Sequence, residues 1–513
     1  MIHRLLNSLI LLPDRYCYQV PADLGLHAEE VMFPNAQGVS LRGVFCRGGL
    51  AETSAHPLPG DLPVILFCPG TSGNLSSHLH YVEVLCRAGF AVLGFDYTGF
   101  GQSAGNASLT TLVADVLSAG DFLRQRKHVE QFGMFGLSIG ANTALLAATL
   151  RPDGLCGVAV EGLALQQDVI RGILTDGIMG PRYINTLLYD GMPQRRYAHV
   201  LNSWHIGTWL ADMLARLGTA CFPFQGKAPQ RQVGALQDVP VLFIHGVEDP
   251  LLPFEATLQV YDIKPGAKRL WLIPGVGHAQ EPVLAQDAEY AAQLGDFFHP
   301  LLSSKTQPSP ETPSIMWDIV TRPQPVGAWT VRLNNPGLPG MVLLSIVYDT
   351  RVEFRTIWVV DRVELPTMER DRPRQVSCLR LFAVTGGNSP AHLYASARGR
   401  RYQEVFQPYI RGLSKLLHEG RLKELDPLLR ALPQARPEAP FDFFLGVYCV
   451  QIMHRAQHTL PHIARAAAAA FCRYWHYGQQ AEPRQQPRLW DLAAAILETP
   501  VAPHAPPSGR DDA

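Results

Sequence analysis

Phe132-Gly133-Met134-Phe135-Gly136-Leu137-Ser138-Ile139-Gly140-Ala141-Asn142-Thr143-Ala144-Leu145-Leu146-Ala147-Ala148 decides the fold of this chain. Its first four residues read as a short buried strand, and Ala141 to Ala148 as a helix with a small face. Between them, Gly136-Leu137-Ser138-Ile139-Gly140 fits the G-x-S-x-G pattern of a nucleophile elbow. Such a turn must be sharp, so that the serine hydroxyl stands clear of the backbone. Glycines on both sides remove the Cβ clashes a sharp turn creates. The pentapeptide alone is a weak signal, since Gly and Ser are common in turns. Its meaning comes from the succession of strand, elbow and helix.

A serine hydroxyl becomes a nucleophile when a base removes its proton and a carboxylate orients that base. Two further segments fit this need. Val239 to His245 is an apolar strand followed by Gly246-Val247-Glu248-Asp249-Pro250. This puts Asp249 in a loop at the carboxyl end of a strand, where ligand sites of open α/β sheets lie. Leu270 to Pro274 is the next strand, and Gly275-Val276-Gly277-His278 follows it. The order Ser138, Asp249, His278 is the one expected of an α/β hydrolase.

With these residues in place, the stretch from about 26 to 300 resembles the α/β-hydrolase superfamily, closest to its serine esterase, lipase and peptidase-like branch. Asp96-Tyr97-Thr98-Gly99-Phe100-Gly101-Gln102-Ser103 matches an Asp-x-x-Gly-x-Gly-x-Ser loop. His245, Gly246, Asp249 and Pro253 match the acid loop, and Gly275, Gly277 and His278 the base loop. The resemblance implies a Ser138–His278–Asp249 triad. It also implies an oxyanion hole from the main-chain amides of Thr71 and Ile139. Many relatives carry His-Gly where this chain has Pro69-Gly70. The chemistry needs backbone N–H groups rather than that side chain, and Ser72 competes with Thr71 for the first donor.

Structural roles stand beside the catalytic ones. Ser138 fits a tight turn by size alone, and Asp249 before Pro250 fits a helix N-cap. Glu248, next to Asp249, and Glu161, at the end of the strand from Leu155, are alternative partners for the base. His278 also reads as a loop histidine. His245 precedes the acid by too few positions to be the base and reads as structural. Asp96 reads as a turn-former that accepts from backbone amides.

At 513 residues the chain exceeds one typical domain. Hydrophobic content of 47% with 17% charged residues describes a well-buried globular protein. The net charge of −1 offers no global field for nucleic acid or an anionic membrane. The balance is −6 over residues 1–305 and +5 over 306–513, a modest asymmetry that fits a solvated basic face. The nine cysteines form no C-x-x-C pair, which fits reduced thiols in a cytoplasmic protein. Leu5 to Leu12 is apolar but far shorter than the about 20 residues of a membrane span. Pro13-Asp14-Arg15-Tyr16 supplies no small-residue cleavage site. That segment is expected to pack on the hydrolase body, with docking at a membrane surface as the alternative.

Glu30 to Phe33 and Leu41 to Phe45 flank the turn Asn35-Ala36-Gln37-Gly38 and read as a hairpin. Strands then recur near 63–68, 90–95, 132–137, 155–160, 239–245 and 269–273. Helical patterns lie between them, as over 110–127 and 284–298. The alternation predicts an α/β fold with a mostly parallel sheet covered on both faces. The long interval 163–238 is where the resembled family carries a helical cap, with expected helices over 168–174, 181–189 and 200–217. Its Ile178, Met179, Tyr183, Leu187, Leu188, Tyr189, Trp204, Trp209 and Met213 are candidates to line an acyl pocket, or simply to seal the cap. A Pro/Ser/Thr-rich stretch over 303–315 reads as a linker. Beyond it, an antiparallel sheet (329–333, 341–348, 352–360, 376–384) precedes helices over 403–418, 422–432, 441–458, 461–477 and 489–497. This C-terminal α+β domain, 316–498, carries no recognised chemistry, and 499–513 reads as a disordered tail. The expected activity is hydrolysis of a hydrophobic carboxylic ester through an acyl-enzyme. Amide cleavage, acyl transfer and a non-catalytic binding module are the alternatives. No metal or organic cofactor is implied, and the expected partner is a small-molecule acyl substrate rather than nucleic acid.

Overall fold

The computed structural model describes residues 10–47, 63–170, 232–302, 421–432, 441–474 and 489–498 with short gaps, a helical piece at 213–217, and the strand backbones between 316 and 383. The expected cap helices from 171 to 189, eight of the nine pocket candidates, the linker 303–315, the tail, Glu248, Pro253 and Gly275 lie outside the described residues. Met213 is described, and it is exposed.

Among the described residues, ten strands precede residue 300: β1 (Leu12–Pro13), β2 (His27–Pro34), β3 (Ser40–Arg47), β4 (Val64–Cys68), β5 (Ser72–Gly73), β6 (Ala91–Phe95), β7 (Phe132–Leu137), β8 (Leu155–Glu161), β9 (Val241–Gly246) and β10 (Lys268–Ile273). Eight of them form one sheet in the order β10-β9-β8-β7-β4-β6-β3-β2. The pairings from β10 through to β6 are parallel, while β3 joins β6, and β2 joins β3, antiparallel. The mostly parallel sheet and the opening hairpin are thus as the sequence predicts, with boundaries shifted by one to three residues.

Helices α1 (Leu79–Arg87), α2 (Leu112–Gln125), α3 (Ile139–Thr149), α4 (Phe254–Ile263) and α5 (Asp287–Leu302) cover the two faces. The period-2 alternation of the strands divides the core. Ile65, Phe67, Phe135 and Trp271 pack with Tyr81 of α1 and Tyr290 and Phe298 of α5. Val64, Leu66, Met134 and Phe243 pack on the other side with Leu112 of α2, Ala144 of α3 and Tyr261 of α4. Strands buried on both faces read as continuous apolar runs, and every residue of β4, β6 and β7 is buried.

Of the Leu5–Leu12 segment, only residues 10–12 lie among the described residues. Ile10 and Leu11 are buried, and β1 pairs in parallel with β5, in the loop after β4. Asp96 is the turn-former predicted: its carboxylate accepts from the amides of Leu75 and Gln102 and faces Arg42.

In the C-terminal region, β11 (Met316–Asp318), β14 (Gly340–Tyr348), β15 (Val352–Val359) and β17 (Gln375–Ala383) form an antiparallel sheet in the order β11-β17-β14-β15, with β12 (Gln324–Pro325) also on β17. β13 (Trp329–Arg332) pairs with β16 (Arg362–Leu365) in a separate ribbon. The strands β11, β12 and β16 were not expected; β11 and β12, of three and two residues, are too short for a period to register. Helices α6 (Leu425–Ala431), α7 (Phe441–Ala456), α8 (Pro461–Tyr474) and α9 (Leu489–Glu498) follow. Among the described residues, no helix is long and apolar enough to cross a membrane.

Candidate active site

The residues of the elbow do what sharp turning requires. Ser138 has φ 56° and ψ −117°, a conformation that L-residues adopt only at a cost of about 1–3 kcal/mol. It is held there by the amide of Ser138 donating to the Glu161 carbonyl at 2.8 Å, and by its own carbonyl accepting from Ala141. The two flanking glycines are needed for close approach. A Cβ on Gly136 would lie 2.2 Å from the Gly140 oxygen, and one on Gly140 only 2.1 Å from the Cys68 oxygen. The elbow therefore exists because β4, β7 and the first turn of α3 touch backbone to backbone.

Three side chains distant in sequence meet at this rim. His278 Nε2 stands 3.2 Å from Ser138 Oγ. His278 Nδ1 stands 2.5 Å from Asp249 Oδ2. An ionised carboxylate only accepts, so Nδ1 carries the proton and Nε2 presents its lone pair to the serine hydroxyl. Asp249 is itself locked. Its Oδ1 accepts from the Leu252 amide at 2.9 Å, and His245 Nε2 approaches its Oδ2 at 3.3 Å. Burial by itself raises the Asp249 carboxyl. The charge of His278 and the donors on His245 and His278 outweigh burial and hold it well below the usual carboxylate range.

The structure separates the alternatives for these residues. Asp249 is not a helix N-cap, because α4 starts at Phe254. Glu161 does not orient the base, because its carboxylate accepts from the hydroxyls of Tyr81 and Tyr290. His245 is fully buried and structural. Its Nε2 faces the Leu252 carbonyl at 2.9 Å and its Nδ1 faces Thr257 Oγ1 at 2.7 Å. It braces the acid loop from behind, a role visible in the His-Gly-x-x-Asp spacing once the loop is folded.

Thr71 and Ile139 lie on the two segments that Gly140 brings together. Cys68 and Pro69 put their carbonyls against Gly140, so the loop carrying Thr71 abuts the first turn of α3. Ile139 opens that helix, where amides have no intrahelical acceptor. The hydroxyl of Thr71 donates to the Ile10 carbonyl at 2.5 Å, so the segment before β1 tethers this loop. No sequence signal marks that tether. Among the described residues, no group of His, Cys, Asp or Glu is arranged to hold a metal ion.

The chain is similar to several known proteins over about half of its length. Residues 62–280 match the family model of serine aminopeptidase, S33. The chain is 26% identical to the uncharacterized protein YfhR of Escherichia coli K12 over 273 residues, which is 53% of this chain and 80% of that protein. It is 25% identical over 278 residues to the α/β hydrolase domain-containing protein aho-3 of Caenorhabditis elegans, covering 53% of this chain and 67% of that one. A solved Pyrococcus furiosus esterase aligns with 57% of this chain and 98% of its own at 16% identity, with a TM-score of 0.43. The family model spans the elbow and the two loops facing it. That region of the chain has the α/β-hydrolase fold.

Proposed function

We propose that this chain is a serine hydrolase that cleaves carboxylic esters with Ser138 as nucleophile, His278 as general base and acid, and Asp249 as the orienting carboxylate. What supports the reading is the unbroken hydrogen-bonded line Asp249–His278–Ser138 at the carboxyl edge of the sheet. In the first step His278 Nε2 takes the hydroxyl proton as Ser138 Oγ attacks the ester carbonyl. The tetrahedral oxyanion is received by the amides of Thr71 and Ile139, and the alcohol leaves with the proton from His278. Water then attacks the acyl-enzyme with His278 again as base. Asp249, ionised and already bonded to Nδ1, stabilises the imidazolium in both steps. A hydrophobic acyl or alkyl group is the substrate class the apolar cap sequence favours. The free thiols Cys46, Cys68 and Cys86 fit a reducing cytoplasmic setting.

The test is covalent labelling with a fluorophosphonate probe. The parent protein is expected to label and Ser138→Ala to stay blank. Labelling that persists in the variant, or none in the parent, rejects the reading. A second reading, amide or peptide cleavage, is favoured by the aminopeptidase description of the matching family model. A series of p-nitrophenyl esters measured beside aminoacyl amides separates the two. Faster turnover of the amides overturns the preference for esters.

A further inference from the structure

Glu161 is buried at the end of β8, in the middle of the sheet, and the chemistry above does not use its side chain. Burying a carboxyl is costly unless its oxygens are satisfied. Here two tyrosines do so, one from α1 and one from α5. Tyr81 of α1 donates to Oε1 at 3.3 Å, and Tyr290 of α5 donates to Oε2. Both rings are fully buried, and they meet edge to face with centroids 6.1 Å apart. Trp271 packs against Tyr290 in the same cluster.

The backbone at this point touches both reacting side chains' supports. The Glu161 carbonyl accepts the Ser138 amide at 2.8 Å, which is the bond that fixes the elbow. Gly162 next to it has φ 61°, and a Cβ there would stand 3.0 Å from Cε1 of the His278 ring. Its amide donates to the Ile244 carbonyl at 3.0 Å, tying the corner to the strand that leads to Asp249. The 161–162 corner is thus a spacer between the nucleophile's backbone and the base's ring.

We propose that Glu161 is a positioning residue, whose carboxyl, gripped by Tyr81 and Tyr290, fixes the corner that sets the separation of Ser138 and His278. It rests on the serine hydrolase reading given above. The groups facing the carboxyl are Tyr81 from α1, Tyr290 from α5 and, farther off, the Asp249 carboxylate beside His278. Burial pushes Glu161 up to about 8; the two tyrosine hydroxyls pull against that rise and the Asp249 charge adds to it. The carboxyl is therefore neutral at pH 7, so that it serves as a strut without placing a second negative charge beside Asp249. A group whose pKa is raised on folding contributes stability that is complete below its unfolded value and lost as pH rises through the folded one.

The experiment uses the full-length chain and its Glu161→Ala, Glu161→Gln and Tyr290→Phe variants. Three readouts are taken: the rate of fluorophosphonate labelling, kcat and KM on p-nitrophenyl butyrate, and the thermal midpoint from pH 5 to 9. Glu161→Ala is expected to lose about 10–100-fold in kcat and labelling rate with KM nearly unchanged, the size of effect a misplacement of about 1 Å produces. Glu161→Gln, which keeps an acceptor and a donor for the tyrosines, is expected to restore kcat to within about threefold of the parent, a residual loss below 1 kcal/mol on the scale where tenfold is 1.36 kcal/mol. Tyr290→Phe, which keeps the ring, is expected to fall between the two; it supplies the answer if Glu161→Ala does not fold. The midpoint of the parent is expected to fall relative to that of Glu161→Gln from pH 5 to 8 and then to level off.

Parent-like kcat in both Glu161→Ala and Tyr290→Phe overturns the proposal and leaves the hydrolase reading intact. So does an equal loss in the Ala and Gln variants that follows the fall in thermal midpoint. A gap that stays flat with pH rejects the neutral strut. A parent protein that neither labels nor hydrolyses any ester or amide removes the hydrolase reading itself.

Discussion

Asp249→Asn is expected to lower kcat about 10⁴-fold while the protein still folds, a loss of the size that follows when the base of a triad is left in the wrong tautomer. The reason lies in the donors around Asp249. Oδ1 faces the amide of Leu252, whose hydrogen cannot be moved, so the asparagine oxygen must take that side. The asparagine NH₂ then faces His278 Nδ1 and His245 Nε2, which both now approach Oδ2. His278 can meet an NH₂ only by giving up its Nδ1 proton. Its remaining proton sits on Nε2 and points at Ser138, and a protonated nitrogen cannot accept the serine's proton. His245 is held by the Leu252 carbonyl and has no such freedom, so a stability loss of about 1–3 kcal/mol accompanies the change. Acid stability moves the other way. The Asp249 carboxyl is depressed on folding, so its contribution is present above the unfolded value of about 3.9 and is lost as pH falls through the folded one. Thermal midpoints of the parent are therefore expected to fall more steeply below pH 4 than those of Asp249→Asn. A variant that keeps a tenth of parental turnover is incompatible with the role assigned to Asp249.

Gly140→Ala is the second large effect, and it acts through backbone rather than chemistry. The added Cβ meets the Cys68 oxygen at 2.1 Å and the Pro69 oxygen at 2.5 Å. Both are main-chain atoms at the end of a central strand, so neither moves out of the way cheaply. The first turn of α3 and the loop carrying Thr71 must separate. Overpacking of this kind costs about 3 kcal/mol. The protein that remains folded is expected to lose on the order of 10²–10³ in kcat, because the two segments proposed to supply the oxyanion donors no longer converge. Gly234→Ala is the control: nothing lies within 4 Å of its Cβ position. It is expected to stay within about 0.5 kcal/mol of the parent. Chemical denaturation and ester turnover on the three proteins check both parts, and a Gly140→Ala protein with parental stability and kcat refutes the close-contact account.

Much of the site was legible before folding because it depends on local grammar. A buried apolar run, G-x-S-x-G and a small-residue helix are neighbours in sequence, and their turn chemistry is decided by those neighbours. Asp249 and His278 were legible for a similar reason, since each follows an apolar strand and a Gly-containing loop. The motif around Asp249 favoured it over Glu161 as the partner of His278, but what the Glu161 side chain does instead was not legible. The outcome turns on Tyr290, 129 residues from Glu161, whose hydroxyl claims that carboxyl. Nor did the chain announce that β1 would pair with β5, since two residues are too few for any pattern to register.

By itself, then, the sequence determined the succession of strands and helices, the elbow at Ser138 and the order of the three polar residues, because hydrophobic period and glycine placement act over a few residues. Tertiary structure alone decided what holds the Glu161 carboxyl, how β1 is paired, and which loop lies against the first turn of α3. Those outcomes depend on hydrogen-bond partners delivered from distant helices and on backbone contacts across strands, and neither exists until the sheet has assembled.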